Sequence, residues 1–168
     1  LLDTYLQLLS FRLGVAPIET AQSDSSPVWA NSPVLTNTDI FDPASVSAER
    51  MIQLSRSWRL SDGRPMIMLP GRLTRWKGQS VLIEALAILG RKDICCVLVG
   101  GDQGRTAYRD ELEKQARRRG IHHVLRVVDH CNDMAAAYML ADVVVSASTH
   151  PEGFGRIAQV LDALTGAD

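Results

Sequence analysis

The chain has 168 residues, 46% of them hydrophobic and 22% charged, with a formal net charge of −1. This is enough for one ordinary domain with a real core, and it excludes a disordered chain. The near-neutral balance argues against a dedicated nucleic-acid surface, and no apolar run reaches membrane-spanning length.

Residues 1–36 carry little pattern and are expected to be a poorly defined segment or linker, with the folded domain over 37–168. Leu1–Leu13 is apolar apart from Asp3, Gln7 and Arg12, is followed by Gly14, and reads as an amphipathic helix. It has no basic start and no small-residue cleavage site, so it does not read as a signal peptide. Residues 19–38 are rich in Ser, Thr, Asn, Asp and Pro, a loop composition. From Ser47 to Leu60, Met51, Leu54 and Trp58 recur at helical spacing, and Ser61–Pro65 is a loop.

From Pro65 the pattern is regular. Apolar runs at Met66–Leu69, Ile94–Val99, Val124–Val128 and Val143–Ala147 alternate with helical segments at Gln79–Leu89, Ala107–Arg119 and from Asn132 or Asp133 to Leu140. A further helix is expected from near Gly155. Leu82, Ile83, Leu86 and Leu89 share one helix face, with Gly90 just past its end. In the Ala107–Arg119 segment, acids precede Arg117–Arg119, as the helix dipole favours. Short, β-branched runs without alternation belong to strands buried on both faces. Interleaved with helices, they predict an α/β fold with a doubly wound, parallel, Rossmann-like sheet.

Numbered in chain order, the four runs take the order third-second-first-fourth in the common doubly wound arrangement. The first and fourth are then neighbours where the winding reverses, and ligands bind beyond the carboxyl ends of strands at such a point. The turn after the first run is Gly71-Arg-Leu-Thr-Arg-Trp-Lys-Gly78, and that after the fourth contains Pro151-Glu-Gly-Phe-Gly-Arg156. Arg72 and Lys77 bracket a loop entering a helix, where localised charge and N–H donors suit a diphosphate. Glu152 can accept from sugar hydroxyls, Gly153 and Gly155 permit close backbone approach, and His150 is beside them. Arg75 and Trp76 read as surface or packing groups, and His122 and His123 as surface.

The turn Gly100-Gly-Asp-Gln-Gly104 lacks the spacing of a dinucleotide fingerprint and reads as a turn bordering the site. Asp129-His-Cys-Asn-Asp133 has no second ligand pair, so no metal centre is expected. The three cysteines, Cys95, Cys96 and Cys131, include no CxxC pair and read as reduced, buried thiols of a cytoplasmic protein. Cys95 and Cys96, being adjacent in a strand, are expected to face opposite ways.

Gly71-Arg-Leu, Lys77-Gly78, Val99-Gly-Gly-Asp, Ala137-Tyr138 with Ala141-Asp-Val143, and Pro151–Arg156, in this order, resemble the C-terminal, donor-binding domain of retaining GT-B glycosyltransferases of the glycogen-synthase-like group, glycosyltransferase family four. The resemblance spans about residues 37–158 and implies an incomplete C-terminal half of a GT-B fold. It implies a nucleoside-diphosphate sugar donor, held by Arg72 and Lys77 at the diphosphate and by Glu152 at the sugar. Gly71, Gly153, Phe154, Gly155, His130 and His150 complete the implied donor-binding set. His130 lies in the loop next to the nucleobase. No cofactor and no metal are implied.

The implied parent takes part in polysaccharide or lipopolysaccharide synthesis. It is a cytoplasmic enzyme with a glycan or lipid-linked acceptor bound by a separate N-terminal domain, and it binds no nucleic acid. Peripheral association of that parent with the inner face of the membrane is compatible with such an acceptor.

Val160 stands where the family carries a second Glu, and the chain ends before the later strands, so this chain alone is expected to be inactive. The alternatives are a non-catalytic nucleotide-binding remnant and a nucleotide-sugar epimerase of GT-B architecture. The early end also predicts that the fourth run forms an open apolar edge prone to self-association.

Overall fold

The apolar runs become strands because neither face of them meets water. The computed structural model describes residues 45–60, 63–104 and 106–150 and the backbone of residues 7–10. In chain order the elements are β1 (Gln7–Ser10), α1 (Ala48–Ser57), β2 (Met66–Pro70), α2 (Gln79–Leu89), β3 (Cys95–Val99), α3 (Thr106–Arg118), β4 (Leu125–Val128), α4 (Met134–Leu140) and β5 (Val143–Ser146). The sheet order is β1-β5-β2-β3-β4, with β5, β2, β3 and β4 mutually parallel. The order predicted for the four runs is the one observed, with β2 and β5 adjacent.

Successive residues of each strand point to opposite faces. On one face Leu69, Cys96, Leu98 and Val145 pack with Leu82, Ile83 and Leu86 of α2 and Leu112 of α3. On the other, Met66, Met68, Cys95, Val97 and Val144 pack with Ala137 and Tyr138 of α4 and Leu54 and Trp58 of α1. Cys95 and Cys96 therefore face opposite ways, and all three thiols are free and buried.

The helix ends follow local chemistry. The Ser47 hydroxyl accepts from the N–H of Arg50 at the start of α1, and Gly90, left-handed at φ 67°, closes α2 by donating to the Leu86 carbonyl. Asp133 caps α4 by accepting from the N–H of Ala136 at 3.1 Å, and Arg50 of α1 binds the same carboxylate through two nitrogens at 2.7 and 2.9 Å. That bidentate pair ties the two helices of one face together.

Three expectations change. β5 is not an open edge: β1 lies antiparallel to it, from Gln7 opposite Ser146 to Ser10 opposite Val143. An extended segment there satisfies the N–H and C=O groups that a bare edge would leave unpaired. The helix expected over Leu1–Leu13 is thus a strand at Gln7–Ser10, and self-association loses its open edge as a cause. Leu89, expected on the buried face of α2, is 54% exposed, because the helix ends there one step past the last buried position, Leu86. The helix expected from Gly155 lies outside the described residues.

Two glycines set how closely the loops approach. A Cβ on Gly78 (φ 71°) would stand 1.8 Å from the Ala147 carbonyl oxygen, and one on Gly100 would stand 2.0 Å from the Gly71 carbonyl oxygen. Gly120 (φ 72°) has nothing within 4 Å of the same position. Gly120→Ala should therefore cost only the left-handed penalty, about 1 kcal/mol. Gly78→Ala should cost about 2 kcal/mol or more, because backbone must also separate. Urea midpoints measure both, and equal losses would contradict the close approach.

The Asp133 carboxyl is held below its ordinary value of 3.8, chiefly by the Arg50 hydrogen bond and also by the N–H of Ala136, against partial burial. A depressed folded pKa gives stability that is complete above the ordinary value and is lost as pH falls through the folded one. Asp133→Asn keeps a cap but not the ion pair. Its stability deficit against the parent should hold from pH 6 down to about 4 and shrink as pH falls further, through the folded-state pKa, until both carry a neutral group. A deficit constant with pH in denaturation series would refute the assignment.

Candidate functional site

Four loops meet at the carboxyl edge of the sheet, those that follow β2, β5, β4 and β3. The first leaves β2 through Gly71, whose φ of 143° is a conformation that side chains disfavour. Its N–H donates to the Val99 carbonyl at 2.8 Å, and the Leu73 N–H donates to the Gly101 carbonyl at 3.2 Å. The loop is thereby joined to the end of β3. Leu73 is buried in the core, which pins the middle of the loop while Arg72 beside it stays exposed. Gln79, fully buried at the start of α2, donates from Nε2 to the Arg72 carbonyl at 2.8 Å. The backbone carrying Arg72 is held from both sides.

The cations of this loop have different fates. Arg75, in the short 3-10 turn Arg75–Lys77, donates to both Glu111 oxygens at 2.9 and 2.7 Å and lies 5.2 Å from the Tyr108 ring centroid. It serves α3 rather than the loop's own edge, in line with a packing role. The Lys77 stem runs along Gly71, and its ammonium stands 4.4 Å from the centroid of the half-buried Trp76 ring. Arg72 is in no ion pair among the described residues.

The second loop follows β5 and is fastened to the first. The Thr149 N–H donates to the Trp76 carbonyl at 2.8 Å, and its hydroxyl reaches the same oxygen at 3.3 Å. The Thr149 hydroxyl is also 3.1 Å from Nδ1 of the exposed His150. His150 is thus brought to the loop carrying Arg72 and Lys77, as topology predicted. Glu152, Gly153, Phe154 and Gly155 lie outside the described residues.

The third loop follows β4 and carries His130, exposed at the same edge but off the β2–β5 boundary. A residue that sequence reasoning passed over holds it. Arg109 of α3 donates to Asp102 at 3.4 Å, to the Val127 carbonyl at 3.3 Å and to Asp129. Its side chain is 18% exposed. One guanidinium therefore joins the loops after β3 and β4. In sequence Arg109 is one charge among many on a solvated helix, and Gln79 is one more polar helix residue. Only the close approach of the loops separates them from their neighbours. The Gly100–Gly101 turn, expected to border the site, is bonded into it.

Burial raises the Cys131 thiol above its ordinary value, so it sits as an inert packing group beside this loop. Among the described residues, no group of three His, Cys, Asp or Glu converges as metal ligands would, and no helix is long and apolar enough to cross a membrane. The edge offers two cations beside the start of α2, whose first N–H groups have no side-chain acceptor at the glycine N-cap. Chemically, that is a place for an anion.

Residues 51–161 match the family described as glycosyl transferases group 1. D-inositol 3-phosphate glycosyltransferase of Corynebacterium aurimucosum is 30% identical over 137 residues, which are 76% of this chain and 31% of that protein. A glycosyltransferase from Rickettsia africae superposes with a TM-score of 0.72 at 28% identity, covering 76% of this chain and 34% of the other. Anabaena HepE, in a structure with UDP and glucose, gives a TM-score of 0.65 at 26% identity over 75% of this chain and 33% of its own. The chain spans about a third of the length of each of these three proteins. The parallel sheet flanked by helices is the α/β arrangement of these GT-B glycosyltransferase neighbours. The chain belongs to the glycosyl transferases group 1 family, and the matched segment contains the four loops at the carboxyl edge of the sheet.

Proposed function

We propose that this chain is the donor-binding part of a glycosyltransferase, taking a nucleoside-diphosphate sugar for retaining transfer to a glycan or lipid-linked acceptor. Arg72 and Lys77 bind the diphosphate and stabilise the charge that grows on it as the sugar departs. Glu152 contacts the sugar, and the Gly153–Gly155 backbone with Phe154 lies against it. His150 approaches the sugar end, and His130 the nucleobase. A separate acceptor-binding domain completes the cleft, and the chain alone is catalytically incomplete. No metal is required in this scheme, and the parent works in the cytoplasm at the inner face of the membrane.

The observation that carries this reading is the fastening of the β5 loop to the β2 loop through Thr149 and the Trp76 carbonyl, at 2.8 Å. It brings the loop entering Glu152 to the one bearing Arg72 and Lys77, at the switch point where α/β sheets bind nucleotides. The structure of HepE with UDP-glucose supports a uridine nucleotide as the first choice.

Calorimetric titration with UDP, GDP and ADP tests it. UDP is expected to bind, and Arg72→Ala and Lys77→Ala should each weaken it about tenfold or more, the worth of a charge-assisted contact. Arg109→Met, which frees the nucleobase loop without touching phosphate, should weaken nucleotide and free uridine by the same factor. Absence of binding by all three nucleotides, or equal affinity in the Arg72 and Lys77 variants, would overturn the reading.

A further inference from the structure

The opposite edge of the sheet has a different chemistry. The loops entering β2, β3 and β4 emerge together there, because Met66 pairs with Cys95 and Cys96 with Leu125 across the starts of the strands. Arg64 precedes β2, Arg91 and Lys92 precede β3, and Arg117, Arg118 and Arg119 precede β4. All six are exposed. Arg126, at the start of β4, is half-buried and close enough to Cys95, as is Arg64, for their charges to act on its thiol.

The carboxylates that the described residues place at this edge are Asp93 and Asp142. Asp93 pairs with Arg91 at 2.6 Å, and Asp142 accepts from the N–H of Met66 at 2.7 Å. Arg117 and Arg119 pair with Glu113 and Glu84 further back along the helices. Helix dipoles account for Arg117–Arg119 at the end of α3. They do not account for Arg64, Arg91, Lys92 and Arg126, which lie in loops and a strand. The chain as a whole has a net charge of −1, so the positive charge here is segregated rather than general.

The same edge carries apolar side chains in water. Ile88 is 87% exposed and Leu89 54% exposed, in the last turn of α2 directly before Gly90, Arg91 and Lys92. Two large aliphatics beside a cluster of cations fit one surface: anionic headgroups over hydrocarbon. A nucleic acid would meet the charge but give Ile88 and Leu89 nothing to enter.

We propose that this edge docks on an anionic lipid bilayer, with Ile88 and Leu89 entering the headgroup boundary and Arg64, Arg91, Lys92 and Arg118 facing lipid phosphates. The carboxyl edge of the sheet then faces water, about 20 Å away along α3 at 1.5 Å per residue. The docking surface deepens the proposed placement at the inner face of the membrane and rests on that part of the reading, whereas nucleotide titration tests the donor site at the far edge separately.

Co-flotation of the whole chain with vesicles tests the proposal. Binding is expected to phosphatidylcholine vesicles containing phosphatidylglycerol and not to phosphatidylcholine alone. It should disappear as salt shortens the Debye length to about 3 Å. Lys92→Glu and Arg118→Glu should each weaken binding about fivefold or more, and Ile88→Ser with Leu89→Ser about tenfold. These positions are exposed, and unchanged melting temperatures show that the variants fold. Failure to float with anionic vesicles, or flotation unchanged in these variants, would overturn the proposal. So would binding to duplex RNA as tight as binding to vesicles and indifferent to Ile88→Ser, which would identify a general polyanion surface.

Discussion

The structure turns on one contact between backbones. The loop after β2 and the end of β5 touch where Gly78 faces the Ala147 carbonyl, a place with no room for a Cβ. The bond from Thr149 to the Trp76 carbonyl then fixes the loops in register. Because both sides are main chain, the contact sets position without depending on any rotamer. The loop bearing Arg72 and Lys77 is consequently held against Thr149 and His150. Parallel packing brings two strands side by side. The glycine brings their loops within reach of one ligand.

A second layer of positioning surrounds that contact. Gly71 and Leu73 bond to the end of β3, and Gly100 is pressed on the Gly71 carbonyl. Arg109 carries the chain of ties onward from Asp102 to the β4 loop. Its charge is largely removed from water, and it has acceptors on both sides, which is the condition under which a buried cation is tolerable. Neighbouring loops at the carboxyl edge are therefore bonded to one another as well as to their own strands. Loops of this kind are ordinarily the mobile part of an α/β fold, and here the cross-ties oppose that mobility.

Much of this was legible in the residues. Val97, Leu98 and Val144 lie in runs that never alternate, so the strands had to be covered on both faces, and the sheet order followed from right-handed winding. Asp133 was one of two expected starts of the α4 segment, and Gly90 marked the end of α2. Elsewhere local pattern failed for identifiable reasons. Leu8 and Leu9 suit a helix or a strand equally, and the choice fell to β5, a long-range partner that local periodicity does not contain. Leu89 continues the apolar stripe one step after α2 has stopped burying residues. Arg109 and Gln79 owe their roles to acceptors on other loops, at Val127 and Arg72, which have no signature at the donor's own position.

The parallel arrangement also decides where an anion would go. Every helix that follows a strand presents its N-terminus, the positive end of its dipole, at the carboxyl edge. Most of these ends already have an acidic group. Asp133 caps α4, and Asp102 lies just ahead of α3, where it accepts from the N–H of Gly104 at 2.9 Å. On the far face α1 begins with Ser47 and Glu49. The start of α2 differs: a glycine N-cap, no acid in its first turn, and Arg72 and Lys77 in the loop before it. A carboxylate there would cancel the field that the two cations build. The described residues place no acid in that first turn, and a diphosphate carries the charge that such a helix start and two cations attract.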